Sequence, residues 1–227
     1  MLARLLTILA TATLLAGAAA QQPALGTMTL DVPGPVPEIP EVEPPGGGGV
    51  LEPTDADSVV FVVDRSCSMG WGSASIPIPG NPGATPWEAA QYELNRAIEN
   101  LDPDTQFGVV LFNHSFSMWR SALEIADEGN RSSARGWVSA QSSGGGTTYT
   151  PPVSSAINIG AGPPEVVMFL SDGAPNEGYS AVSAITGMNA GRSLINTVGF
   201  GIPAYGTAYQ IMVDIAVQNS GEFRLVN

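Results

Sequence analysis

Lysine is absent from this sequence, and its eight basic residues are all arginine; histidine and cysteine occur once each, as His114 and Cys67. Against those eight stand 21 acidic residues, a formal net charge of -13, which excludes a phosphate backbone as partner and so excludes nucleic acid. A single cysteine rules out an intrachain disulfide, and no base is visibly paired with Cys67, which reads as a small residue packed in a tight loop. One histidine leaves Ser-His-Asp chemistry little to work with. His114, after an apolar run, reads as satisfying a loop hydrogen bond. No Gly-x-Ser-x-Gly elbow occurs either, since Gly70-Trp71-Gly72-Ser73-Ala74 fails at its last position. Charged residues make up only 13% of the chain and hydrophobic ones 44%, a balance that argues against disorder and for a well-buried sheet.

Long apolar runs are missing too, except at the start. Met1 to Ala20 reads as a signal peptide: Arg4 gives the positive end, Leu5 to Leu15 the apolar core and Ala18-Ala19-Ala20 the cleavage site. That core is short of the ~20 residues a membrane span needs. Cleavage near Ala20 would start the mature chain at Gln21, secreted or periplasmic, with no membrane span and no cysteine for a lipid anchor. Residues 21–56, rich in Pro, Gly and Glu, read as a flexible tether whose order could come only from docking onto the domain or a partner. One domain, 57–227, remains.

Within it, Ser58 to Val63 is a continuous β-branched run of the kind buried on both faces of a parallel sheet. Helical spacing of Trp87, Ala90, Leu94, Ala97, Ile98 and Leu101 predicts a helix over Pro86 to Leu101, capped by Thr85. Gln106 to Phe112 is a second strand, and Ser115 to Leu123 alternates well enough to pair back on it as an antiparallel edge strand. Further helices are predicted over Asn130 to Ala140, Pro151 to Ile159, Ser180 to Ala190 and Tyr205 to Gln218. Strands are predicted over Glu165 to Leu170, Leu194 to Phe200 and Glu222 to Val226. This alternation predicts an α/β fold: a doubly wound, mostly parallel central sheet with one antiparallel edge strand and helices on both faces.

In such sheets ligands bind beyond the carboxyl ends of the strands. Three loops there carry hard oxygen donors. Asp64-Arg65-Ser66-Cys67-Ser68 follows the first strand, Ser171-Asp172-Gly173 follows the strand starting at Glu165, and Thr147 stands behind Gly144-Gly145-Gly146, where the backbone can approach closely. Two carboxylates and three hydroxyls suit Mg²⁺, Mn²⁺ or Ca²⁺ rather than zinc, and they leave the ion short of six ligands. Water or an acidic group from a partner would complete the set. Alternatively, Asp64 and Asp172 only cap turns and the hydroxyls saturate loop backbone.

These residues resemble the von Willebrand factor type A family, the fold also found in integrin inserted domains. Asp64, Ser66 and Ser68 match its Asp-x-Ser-x-Ser motif, Thr147 its loop threonine and Asp172 its Asp-Gly, a full match to the metal-ion-dependent adhesion site over a resemblance running from Ser58 to Asn227. The resemblance implies direct ion contact by Ser66, Ser68 and Thr147, and contact largely through waters by Asp64 and Asp172. It implies one divalent cation, Mg²⁺ first, with Mn²⁺ or Ca²⁺ as alternatives, and a protein partner that offers a Glu or Asp carboxylate. It also implies a last helix, Tyr205 to Gln218, that can shift as the Thr147 loop moves toward the ion. The acids that build a second cation site in some relatives would fall near Trp71 and Gly72, where none exists, so no second site of that kind is expected.

A Pro/Gly-rich insertion from Trp71 to Gly83 is expected to overhang the ion. Trp71 either packs that loop onto the domain or is exposed as a partner anchor, with Gly146 and Thr148 as further partner contacts. Adhesion-type binding is thus the leading function. An accessory or scaffold subunit of an exported assembly and a metal-dependent hydrolase are the alternatives, the last needing a general base that Asp64 and Asp172, committed to the ion, could not supply.

Overall fold

The computed structural model describes residues 49–51, 56–72 and 78–227; the predicted signal peptide and residues 21–48 of the predicted tether lie outside the described residues. Seven strands form one sheet: β1 Ser58–Asp64, β2 Gln106–Phe112, β3 Phe116–Met118, β4 Glu124–Ile125, β5 Val166–Ser171, β6 Leu194–Phe200 and β7 Phe223–Val226. Their order is β3-β2-β1-β5-β6-β7, with β4 also on β2. β1, β2, β5, β6 and β7 run parallel, and only β3 and β4 are antiparallel to their neighbour. Among the described residues five α-helices connect them: α1 Pro86–Glu99, α2 Glu128–Ser139, α3 Thr150–Ile157, α4 Ser180–Asn189 and α5 Gly206–Gln218.

The apolar run of β1 is central because its side chains are needed on both faces. Val59, Phe61 and Val63 join one core with Leu94 and Ile98 of α1 and Ala134 and Val138 of α2. Val60 and Val62 join the other with Val153 of α3, Ile185 of α4 and Ile211 and Ile215 of α5. Each such side chain, fully buried, is worth roughly 1.5–3 kcal/mol, so any shift of β1 by one residue would exchange the two cores. Thr85 caps α1 as predicted. Its hydroxyl accepts from Glu88 N, the Glu88 carboxylate accepts from Thr85 N, and Pro86 opens the first turn.

The antiparallel edge differs from the single strand expected over Ser115 to Leu123. It is broken into β3 and β4, which pair with opposite ends of β2. Trp119 still donates to Val109 O and stacks on Phe107. The following Arg120-Ser121-Ala122 has neither β-branched nor aromatic side chains to hold a pleated surface, and the ladder lapses until Glu124.

At the amino end, Gly49 to Leu51 is docked on the domain. Leu51 is fully buried in the core beneath α1, Val50 N donates to the buried Glu93 carboxylate at 3.0 Å, and Arg224 of β7 donates to Gly49 O and Val50 O.

Because the chain leaves β1 toward β2 and later returns on its other side as β5, the strand order reverses between β1 and β5. Their carboxyl ends therefore flank the natural crevice of the sheet.

Candidate metal centre

Asp64 ends β1 and Ser171 ends β5, on adjacent strands. That pairing buries Asp64 completely. Its Oδ2 accepts from Ser171 Oγ at 2.6 Å and its Oδ1 from Ser66 N at 2.7 Å. Burial raises the Asp64 carboxyl to about 6, against the pull of the hydrogen bonds from Ser171 and Ser66, and the nearby charge of Asp172 adds a smaller push the same way.

From Ser66 the cluster continues outward. Ser66 Oγ lies 3.1 Å from Ser68 Oγ, and Ser68 Oγ donates to Asp172 Oδ1 at 2.8 Å. Asp172 is half-buried, and desolvation lifts its carboxyl above the usual range although the Ser68 hydroxyl works against it. Four of the five predicted oxygen donors thus form one connected group spanning the crevice.

Thr147 is held nearby through its backbone. Cys67 N donates to Gly145 O at 2.9 Å and Gly144 N to Arg65 O at 2.7 Å, which ties the glycine loop to the Asp64–Ser68 turn; Asn176 N, from the loop after Asp172, donates to Thr147 O at 2.8 Å. Among the described residues the Thr147 hydroxyl is not a hydrogen-bond partner of the other four. Gly145 has φ +86°, and a Cβ there would sit 2.4 Å from His114 Nδ1. Glycine is therefore required at 145 for both backbone and space.

Two carboxylates sit here, and no ion pair among the described residues reaches either of them. Arg65, the nearest basic residue in sequence, points its guanidinium at Ser142 O instead. No group of three or more His, Cys, Asp and Glu gathers among the described residues, so a metal here would depend on hydroxyls as well as carboxylates. A buried acid without a protein cation, surrounded by hydroxyl oxygens, fits a hard divalent ion.

The family model of the von Willebrand factor type A domain matches residues 58–224. The chain belongs to this family. Domains of the family are typically involved in protein–protein adhesion and metal-dependent binding. The human inter-alpha-trypsin inhibitor heavy chain H4 is 23% identical over 184 residues, covering 75% of this chain and 18% of that protein. The chain thus spans less than a fifth of that relative's length. Among solved structures, a von Willebrand factor type A protein from Catenulispora acidiphila aligns with a TM-score of 0.60 at 18% identity, over 75% of this chain and 38% of that one. The manganese-loaded TRAP protein of Plasmodium vivax aligns with a TM-score of 0.52 at 18% identity, over 71% of this chain and 64% of that one. At these identities the likeness is one of fold.

Around the crevice of this von Willebrand domain, Trp71 is 72% exposed, and its indole N–H donates to the Cys67 thiol at 3.1 Å. Neither residue is packed away: Cys67 is exposed rather than enclosed in its loop, because the 3-10 turn Ser68–Gly70 buries Met69 in place of it. Within the insertion, 73–77 lie outside the described residues, and Ile78 packs against the core on the α1 side. Gly146 is exposed with the Asn176 amide close by, and Thr148 N donates to Asn113 O.

Several contributors had no sequence signal of their own. Ser171, read from the sequence only as the first residue of the loop before Asp172, ends β5 and supplies the hydroxyl that seals Asp64. Glu177 accepts from the amides of Tyr149 and Thr150 and so caps α3 from a loop 27 residues away. Tyr149 is fully buried, stands edge-on to Phe112 and Phe169, and donates its hydroxyl to Gly173 O. Tyr179 and Tyr205, 52% and 75% exposed, stand with Trp71 at the carboxyl ends of the parallel strands. The turn residues Ser171-Asp172 and Tyr205-Gly206 were the available clue, since whatever follows a parallel strand faces this end.

Proposed function

We propose that this domain is an exported binding module that holds one divalent cation with Asp64, Ser66, Ser68, Thr147 and Asp172 and grips a Glu or Asp of a protein partner through it. The observation that carries the reading is the buried Asp64 carboxylate, linked through Ser66 and Ser68 to Asp172 with no arginine or histidine among the described residues paired to it. Mg²⁺ is the first choice for such oxygen donors, Mn²⁺ and Ca²⁺ the alternatives; the manganese-loaded TRAP neighbour of the same fold supports a divalent ion. When bound, the cation supplies a local positive charge on a domain that is otherwise acidic, the condition for attracting a carboxylate. Ser66, Ser68 and Thr147 offer direct ligands, while Asp64 anchors the Ser66 backbone, Asp172 accepts from the Ser68 hydroxyl, and both carboxylates balance the charge. With only two carboxylates the site keeps appetite for a third.

Trp71, Tyr179 and Tyr205, exposed on the segments that follow β1, β5 and β6, support a protein partner, because aromatic side chains are enriched among the anchors of interfaces. Export rests on the sequence of Met1 to Ala20, and among the described residues no helix is long and apolar enough to cross a membrane. The one histidine, His114, is exposed and lies against Gly145, outside the hydrogen-bonded cluster.

Calorimetry of the purified mature chain with Mg²⁺, Mn²⁺ and Ca²⁺ tests the site, alongside Asp172→Ala. Uptake of one ion per chain, lost in the variant, is the expected result; no uptake of any of the three ends the proposal. Mass spectrometry of the exported fraction, expected to find an amino terminus at Gln21, tests export.

A further inference from the structure

We infer that Asn113 is the positioning residue that sets Thr147 against the cation site, an inference that rests on the cation-binding reading above. Asn113 follows β2 at the carboxyl end of the sheet and is 6% exposed, so each of its polar groups must find a protein partner. Its Nδ2 donates to Gly144 O at 2.6 Å, and its backbone carbonyl accepts from Thr148 N at 3.0 Å. Gly144 and Thr148 bracket the three residues Gly145, Gly146 and Thr147. One residue therefore grips the loop on both sides of the threonine.

Asn113 is itself fixed by a closed local pattern. Its Oδ1 accepts from Ser115 N at 2.9 Å and from Ser115 Oγ at 3.2 Å, and its own N–H donates to Ser115 O at 2.7 Å. The amide orientation is forced by these partners, with the oxygen toward the Ser115 donors and the nitrogen toward the Gly144 carbonyl. None of these bonds reaches Asp64, Ser66, Ser68 or Asp172. Any influence of Asn113 on the ion must then pass through the Thr147 loop. The other ties on that loop, at Arg65 O, Cys67 N and Asn176 N, run between backbone atoms, which leaves Asn113 as the side chain whose donor group holds Gly144. A glycine-rich loop has the widest choice of conformations when free, so a brace of this kind contributes most where the sequence is Gly-Gly-Gly-Thr. A Cβ at 145 would crowd the same place, 2.4 Å from His114 Nδ1 and 3.0 Å from Asn113 Nδ2.

The test compares Mn²⁺ affinity by calorimetry for the wild-type mature chain, Asn113→Asp, Asn113→Ala, Thr147→Ala and the double variant Asn113→Ala/Thr147→Ala, with melting temperatures measured in parallel. Asn113→Asp keeps the acceptor for Ser115 and replaces only the donor to Gly144 O. Its added negative charge would by itself favour a cation, so weakening can come only from geometry. The expected result is a loss of about tenfold in affinity for both Asn113 variants, the scale on which outer ligand supports act, and no further loss when Asn113→Ala is added to Thr147→Ala. Wild-type affinity in Asn113→Asp, or losses that add in the double variant, would overturn the role of Asn113 while leaving the cation reading intact. A wild-type chain that takes up no Mn²⁺ would remove both.

Discussion

A carboxylic acid sealed from water at the end of β1 makes the domain without metal sensitive to pH in an unusual direction. Asp64 titrates at about 6 in the folded chain against 3.8 when exposed, so between those values the folded state keeps a proton that the unfolded state has released. Stability of the metal-free domain is therefore fully present below about pH 4 as far as Asp64 is concerned, falls as pH rises toward 6, and stays lower by ~3 kcal/mol above it. Asp172 acts in the same direction. Thermal melts in chelator across pH 4 to 7.5 should show this fall. Asp64→Asn should flatten it and raise the metal-free melting temperature at pH 7, while abolishing the stabilisation that added Mg²⁺ gives the wild type. A wild-type slope that survives unchanged in Asp64→Asn would refute the assignment. Trp71 makes the opposite kind of prediction. At 72% exposure its replacement by Ala should move stability by less than about 0.5 kcal/mol, yet remove a metal-dependent partner from a pull-down. Equal capture by wild type and variant would return Trp71 to the status of a surface residue.

At the scale of elements, the domain begins earlier than the hydrophobic pattern indicates. The pattern marks 57 as the boundary, but Leu51 is fully buried and the backbone of Gly49 and Val50 is held by Arg224 and Glu93. This short strap ties α1 to β7, the first helix to the last strand. Leu51→Ala should cost about 2–5 kcal/mol, the range for a buried leucine, and a chain starting at residue 57 should lose at least as much. Urea denaturation of both against the mature chain measures this; a loss below 1 kcal/mol would show the strap to be dispensable. The broken edge strand is a second element-scale feature. β3 and β4 are two short pieces around Arg120-Ser121-Ala122, and this keeps the outer edge of β2 covered without presenting a long flat strand to other chains.

For the whole molecule, one cation is expected to matter about as much as a well-buried side chain. A ligand that binds only the folded state stabilises it by about 2.7 kcal/mol when present at a hundred times its dissociation constant. Differential scanning calorimetry at pH 7 should therefore show a melting temperature that rises with Mg²⁺ or Mn²⁺ concentration and returns on adding EDTA. Failure of the melting temperature to respond to any of the three hard ions would count against a site at Asp64 and Asp172. The acidic balance of the chain, 21 acidic against 8 basic residues, makes this dependence steeper at low salt, where the acidic chain attracts the ion and screening is weak.

The alternation of β-branched runs with helical spacing was enough to predict a doubly wound sheet, because a parallel strand buried on both faces has to be apolar along its length, as Val59 to Val63 is. The spacing of Asp64, Ser66 and Ser68, with Asp172 after another such run, located the candidate site, since residues that follow parallel strands share one end of the sheet. Those relations are local, and a sequence carries local relations in full view. Tertiary structure alone decided the rest: that Ser171 seals Asp64, that Asn113 and Glu177 grip the loop and helix beside Thr147, that Leu51 is core, and that Trp71 and Cys67 stand exposed. Each of these depends on which segments the strand order makes neighbours, across a separation of 107 residues in the case of Asp64 and Ser171. Burial and hydrogen-bond partnership are properties of that three-dimensional neighbourhood, and no periodicity along the chain encodes it.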